Sequence, residues 1–274
     1  MTFEFNNVYI KNTATIAGHL EAKGPLNKYF DKTHKDFYVN SKSLEKSEVN
    51  LQKESIDTLI DKENITKEEI DILISGDLQN QITASSYAAK DYEIPLIGVY
   101  SACATSTQSI ILASTILESK KAKNIICTTS SNNLVSEKQF RNPVEYGAPS
   151  PKTKTFTSTG GASILLTNEK TNIKITSGTI GKIIDLNQNN PNHMGAVMAP
   201  AAADTIYNHL KNNNEKVSDY DLILTGDLGL YGKKILKEYM DKKYKIKLGE
   251  NYNDCGTMLY DMKNQKEITA GGSG

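Results

Sequence analysis

Cys103 is the residue whose neighbours best equip it for chemistry. It follows the apolar run LIGVY through two small residues, Ser101 and Ala102, and precedes ATSTQSIILASTIL, which has the pattern of a helix. A thiol at such a junction faces the unpaired N–H groups and positive end of the helix, a setting that favours a thiolate and can hold an anion. The competing reading of any lone cysteine is a small buried side chain, and Cys127, in the middle of IICTT, takes that reading. Cys255, in NDCG, is followed by a strand-like MLY without an evident helix and is a site-lining candidate through a repeat described below. Three cysteines far apart form neither a disulfide framework nor a zinc spacing, so the thiols are expected to be reduced. The four histidines (His19, His34, His193, His209) make no His-x-x-x-His pair, so neither a metal nor a cofactor is expected. GDLGLYGKK (Gly226 to Lys234) fails as a phosphate loop. The place of its first glycine holds Asp227 or Leu228 according to register, and Lys234 stands where Ser or Thr must follow the lysine.

A residue poised between strand and helix needs both elements to hold it, and the sequence carries that unit twice. Asp71 to Leu78 read DILISGDL and Asp221 to Leu228 read DLILTGDL; Tyr100 to Cys103 (YSAC) then aligns with Tyr252 to Cys255 (YNDC). One duplication at this spacing means two copies of a domain-sized unit rather than a solenoid. In the first copy, residues 43–60 have helical spacing, TKEE (Thr66 to Glu69) reads as a capping-box helix start, and strands are expected at 72–74, 96–100 and 125–129 with a helix at 105–119. In the second, Pro200 marks a helix first turn, followed by strand 222–225, helix 233–243 and strand 245–248. Alternating strands and helices call for mainly parallel sheets covered by helices. The expectation is an α/β chain of two duplicated halves, 1–170 and 171–274, with two mixed, mainly parallel sheets related by a pseudo-twofold. Residues 130–155 form a long polar stretch with Pro143, Pro149 and Pro151, read either as a functional or interface loop or as a surface cover.

Bulk properties exclude several classes. With 32 Lys+Arg against 32 Asp+Glu over 274 residues there is no global field to draw in nucleic acid or anionic lipid. A composition of 38% hydrophobic and 23% charged residues is that of a globular protein. The N-terminus MTFEFNNVYI lacks a secretory pattern, and no run reaches the ~18 apolar residues of a membrane span, so synthesis is expected in the cytoplasm.

Six segments carry a resemblance that runs in order through nearly the whole chain: GVYSACATSTQS (98–109), TSSNNLVSEKQFRNPVEYG (129–147), HMGAVMAPAAADTI (193–206), DYDLILTGDLG (219–229), NDCG (253–256) and AGGSG (270–274). They resemble the stage V sporulation protein AD family of the thiolase and ketoacyl synthase superfamily. The resemblance implies a thiolase-like fold, binding of dipicolinic acid (pyridine-2,6-dicarboxylate), alone or as its calcium chelate, and a part in moving it into the developing spore. It further implies membrane-embedded stage V sporulation proteins as partners, a peripheral place at the spore inner membrane, and a homodimer of the kind common in the superfamily. Family members continue beyond the AGGSG segment, so a truncated C-terminal edge of the second half is expected. STGGASILLT (158–167) looks like the superfamily's glycine turn entering a buried strand, a structural role.

The ligand-binding candidates come from the same resemblance for Cys103, His193 and Glu45, from the repeat for Cys255, and from its side-chain chemistry for Arg141. The family equivalents of Cys103 and His193 line the ligand pocket, Cys255 is placed opposite Cys103 across the pseudo-twofold, and Glu45 matches an acidic position near the site. Arg141, in QFRNP, is either a bidentate contact or an internal brace. Condensing enzymes of the superfamily pair the cysteine with His and Asn, or two His, on loops of the second half, to make the thiolate and stabilise an enolate. Here those loops read TGDLG and NDCG, without histidine. An aspartate there would oppose thiolate formation. The expectation is therefore a non-enzymatic binder, the alternative being a thiolase or ketoacyl synthase-type acyltransferase using Cys103.

Overall fold

The computed structural model describes residues 1–140 and 151–273. Strands whose apolar residues come in consecutive pairs build the central sheet, because both of its faces are covered. In chain order the elements of the first half are β1 (Thr2–Glu4), β2 (Tyr9–Ala17), β3 (Lys32–Thr33), α1 (Leu44–Glu63), β4 (Ile72–Asp77), α2 (Thr83–Ala89), β5 (Leu96–Gly98), α3 (Thr105–Glu118), β6 (Asn124–Ser131), α4 (Asn133–Phe140), β7 (Phe156–Thr157) and β8 (Gly160–Thr167). The seven-stranded sheet runs β3-β2-β8-β6-β4-β5, with β9 (Ile173–Lys174) also on β2. Strand β4 is parallel to β5 and β6, whereas β8 is antiparallel to β6 and β2. Period-two alternation sends Leu73, Ile126 and Leu165 to a core with Ile56 and Leu59 of α1, and Ile74, Ile125 and Leu166 to a core with Ala113 and Leu117 of α3. Cys127 lies in the α3-side core, and burial pushes its thiol up, as a packing cysteine requires.

The second half contains β10 (Ser177–Thr179), α5 (Met194–Asn213), β11 (Ile223–Thr225), α6 (Gly229–Tyr239), β12 (Tyr252–Asp254), α7 (Cys255–Met258) and β13 (Gly272–Ser273). The duplication is visible element by element. α1 and α5 are each 20 residues long and end on a left-handed asparagine, Asn64 and Asn214. Each is followed by the same local lock, Thr66 N donating to Glu69 Oε2 and Lys216 N to Asp219 Oδ2, both at 2.8 Å. β11 and β12 then pair in parallel, as β4 and β5 do. Among the described residues the second-half sheet has these two strands, with β1–β10 and β7–β13 as two further short pairs, and Leu228, Leu236, Met240, Leu248 and Tyr252 form its core with Ala199 and Ala203 of α5.

Four local expectations are corrected. Pro200 lies inside α5 rather than in its first turn, because His193 caps the helix earlier, its Nδ1 accepting from Ala196 N at 3.3 Å. Residues 245–248 are not a strand: α6 runs into a π-turn (Met240–Tyr244) that ends on left-handed Lys245, and Leu248 reaches the core from a loop. TKEE gives a single 3-10 turn, since the chain must straighten into β4. Cys255 does open a helix, α7, whose start Asp254 caps by accepting from Gly256 N at 3.0 Å. No helix among the described residues is long and apolar enough to cross a membrane.

Candidate functional site

The chain leaves β5, passes Tyr100 and Ser101, and makes a 3-10 turn at Ala102–Ala104 that feeds α3. Ala102 has φ +45°, a left-handed conformation rare for a residue with a side chain. Thr105 holds the turn: its Oγ1 accepts from Ser101 N at 3.0 Å and donates to Ala102 O at 2.7 Å. Cys103 is thereby presented at the N-terminal end of α3, as the sequence suggests.

It lines a cavity of about 210 Å³ between the ends of β2, β4, β6 and β8. That is room for several waters or one small single-ring molecule. Asp77, Glu21, Ser130, Ser106 and Thr159 supply polar groups to its wall. Asp77, at the C-terminal end of β4, is a brace as well as a wall. Its Oδ1 accepts from Gln79 N at 2.8 Å, and its Oδ2 accepts from Ser85 N at 2.7 Å and Ser85 Oγ at 2.6 Å. Tyr100, half-exposed, precedes the 3-10 turn, and burial first, then the charges of Asp77 and Cys103, push its hydroxyl up. Glu21 is buried, and its Oε1 accepts from Thr159 N at 3.0 Å and Tyr260 Oη at 2.5 Å. Behind Asp77, Gln79 Nε2 donates at 3.0 Å to Glu48 Oε2 on the inner face of α1. Burial, reinforced by the charge of Asp77, pushes the Glu48 carboxyl up to about 8 against the opposing bond from Gln79.

The other expected site residues are dispersed. His193 is the cap of α5, with its ring edge-on to Tyr231 at 6.1 Å, and does not line the cavity. Glu45 lies in a separate open groove with Gln79 and Asn80, paired to Lys138 at 3.5 Å. Cys255 is likewise outside the lining. Although the residue is exposed overall, crowding around its sulfur and then the carboxylates of Asp254 and Asp227 push its thiol up. Arg141 lies outside the described residues. Asp254, buried, accepts from Thr225 Oγ1 (2.6 Å), Leu228 N (3.0 Å), Gly229 N (2.8 Å) and Gly256 N (3.0 Å), so it organises the second-half loops.

None of the four histidines lines the cavity, and the others also have structural work. His34 bonds Glu54 at 2.6 Å, His209 bonds Thr179 at 2.8 Å, and His19 stands edge-on to Phe37 at 4.4 Å. Among the described lining residues there is no lysine or arginine either. Nor, among the described residues, is there a group of three or more His, Cys, Asp and Glu that could hold a metal ion. The sequence reading missed Asp77, Glu21 and Ser130. For Asp77 the signal was available, a carboxylate at the C-terminal end of a parallel strand inside the repeated octapeptide.

A family model described as stage V sporulation protein AD matches residues 1–274. Stage V sporulation protein AD of Bacillus subtilis (strain 168) is 40% identical over 267 residues, which are 97% of this chain and 78% of that protein. Among solved structures, a variant of Xanthomonas campestris OleA superposes with a TM-score of 0.62 at 11% identity, covering 92% of this chain and 85% of that one. A 3-oxoacyl-(acyl-carrier-protein) synthase III does so with a TM-score of 0.60 at 11% identity, covering 95% and 91%. Identities this low carry the fold, which is thiolase-like, and nothing of the chemistry.

Proposed function

We propose that this chain, which belongs to the stage V sporulation protein AD family, binds dipicolinic acid for its uptake into the developing spore and performs no chemistry on it. The observation that carries the reading is the make-up of the Cys103 cavity: a thiol at a helix start, two carboxyls and several hydroxyls, with every histidine of the chain placed elsewhere. Acyl transfer needs a group that takes and returns protons beside the thiol. Among the described lining residues no histidine stands beside the thiol to do so. Binding asks less. The N-terminus of α3 and the hydroxyls of Ser106, Ser130 and Thr159 suit the oxygens of a small planar acid. Two acidic side chains in the wall favour a ligand whose charge is compensated, by a proton or by calcium as the chelate. Delivery to and from this site would fall to membrane-embedded stage V sporulation proteins at the spore inner membrane.

A second reading, an acyltransferase using Cys103, is favoured by one observation, the strained turn that presents the thiol at a helix start. One experiment separates the two: calorimetric titration with pyridine-2,6-dicarboxylate and with the monocarboxylate picolinate, run beside an assay for CoA release from acetyl-CoA. The dicarboxylate is expected to bind at least about tenfold more tightly, the equivalent of ~1.4 kcal/mol, with no sustained CoA release. Equal affinities, or no heat with either, sink the binding reading. CoA release that disappears in Cys103→Ala establishes the enzyme.

A further inference from the structure

Large aliphatic side chains that protrude beside a cluster of lysines mark an interaction face. In the loop that follows β10, Ile180 is 51%, Ile183 97% and Leu186 54% exposed. This loop is fixed to α5: a Cβ on Gly181 would stand 2.5 Å from Thr205 Oγ1, and Lys182 pairs with Asp204 at 3.4 Å. Asp204 also accepts from Tyr244 Oη at 3.3 Å, which ties the loop to the π-turn after α6. Tyr244 stacks on Tyr207 with ring centroids 4.3 Å apart. Lys243 lies over Tyr244 at 5.3 Å and over Tyr239 at 5.0 Å, and Lys211 lies over Tyr207 at 5.9 Å. The three tyrosines are half-buried, whereas Lys211, Lys242, Lys243 and Lys245 are exposed.

Charge sets this face apart from the rest of the molecule. Residues 229–250, which hold α6, the π-turn and the loop after it, contain seven lysines and three acids, although the whole chain is neutral. The remainder is therefore net negative, and the molecule has a positive side. Of the acids on the face, Asp204 is held between Lys182 and Tyr244, Glu238 pairs with Lys242 at 3.4 Å, and Asp185 accepts from Asn187 N at 2.7 Å, with Asp241 exposed. Nucleic acid fits poorly, because the tyrosine rings are stacked on one another rather than open to bases, and aliphatic tips have no use on a phosphate backbone. Aliphatic tips, tyrosines and lysines together complement a bilayer surface, with its acyl boundary, its interfacial zone and its anionic headgroups. We infer that this face, the 180–186 loop with the π-turn, docks the chain on a bilayer rich in anionic lipid, Ile183 entering the acyl boundary and the lysines meeting the headgroups. The inference goes beyond the binding reading: it is independent of what the Cys103 cavity holds, and it gives the chain a bilayer contact of its own beside the membrane-embedded partners proposed above.

The test is co-sedimentation of the 274-residue chain, without dipicolinate, with vesicles of phosphatidylcholine alone or with about one-third phosphatidylglycerol. Binding is expected to the anionic vesicles only, and to weaken as salt is raised. Each lysine near an anionic surface contributes about fivefold, so Lys242→Gln/Lys243→Gln/Lys245→Gln is expected to lose about tenfold or more. Ile183→Asp removes the apolar tip and is expected to lose several-fold. Lys28→Gln/Lys32→Gln/Lys35→Gln removes the same charge from exposed positions of the first half and should stay within about twofold of wild type. Thermal unfolding checks every variant, and should the first triple variant fold poorly, Lys182→Gln/Lys211→Gln takes its place. Equal binding to neutral vesicles, binding to neither, or equal losses in the two triple variants overturns the inference. Wild-type partitioning in both the lysine variant and Ile183→Asp does so too, as does tighter binding to single-stranded DNA than to vesicles in the same buffer. Each of these failures leaves dipicolinate binding standing, and absence of heat with the dicarboxylate leaves this face standing.

Discussion

Glu48 shows how a single side chain behind the site ties the fold to pH. It is fully buried on α1, one oxygen held by Gln79 and the other without a partner, and burial pushes its carboxyl up to about 8. Between its ordinary value of 4.5 and about 8, the folded chain holds a proton that the unfolded chain has released. The contribution to stability is therefore fully present below 4.5 and is lost as pH climbs to about 8. Glu48→Gln, which is neutral at every pH, is expected to match wild type near pH 5. At pH 8 it should exceed wild type by roughly 2 to 4 kcal/mol. Thermal unfolding at several pH values between 5 and 9 measures this, and identical slopes in the two proteins would exclude Glu48 as the cause. A shallower slope of the same sign should remain, because burial also raises Glu21. Neither carboxyl was legible in the sequence. Glu21 owes its role to Thr159 and Tyr260, 138 and 239 residues away along the chain, and no spacing rule links such partners. Cys103 and Cys127 were legible because their immediate neighbours decide where they lie.

At the scale of elements, strong local periodicity read true and boundaries set by distant contacts did not. The helix expected over 43–60 is α1, and the strand around Cys127 is β6, since their apolar patterns settle which faces are buried. The start of α5 was misplaced because Pro200 looked like a first-turn residue. The contact that requires the earlier turn is Gly195 against Gly232 of α6, which no local pattern announces. A Cβ on Gly195 would stand 2.4 Å from Leu228 O and 2.8 Å from Gly232 Cα, so the two helices meet backbone to backbone. Gly195→Ala is expected to destabilise the fold by ~1–3 kcal/mol through this overpacking. Gly226→Ala, whose Cβ would meet nothing within 4 Å, serves as the control with little effect. Equal losses in urea unfolding of the two variants would mean that the α5–α6 contact yields more easily than its geometry implies.

The duplication, legible as the repeat of DILISGDL by DLILTGDL, organises the whole molecule, but it does not fix how many strands each half assembles. Among the strands of two or three residues, β1, β3, β7, β9, β10, β12 and β13 leave no pattern of their own. The halves differ most at one place. In the first half, β4 lies between β5 and β6 and Ile74 is fully buried. In the second, β11 pairs with β12 on one side, and among the described residues no strand lies on the other. Leu222 is consequently 52% and Leu224 45% exposed. Leu222 borders a largely apolar hollow of about 360 Å³ lined also by Ile110, Ile111, Leu210 and Ile223. A row of unpaired peptide groups flanked by leucines is a template for another strand. The edge β5 also exposes Leu96. Self-association of the 274-residue chain is expected to use β11, and Leu224→Lys, which places a charge on that edge, should shift the chain towards monomer. Leu96→Lys should leave association unchanged. Sedimentation velocity over a range of protein concentrations distinguishes the two edges: dissociation by Leu96→Lys alone would place the contact between copies at β5.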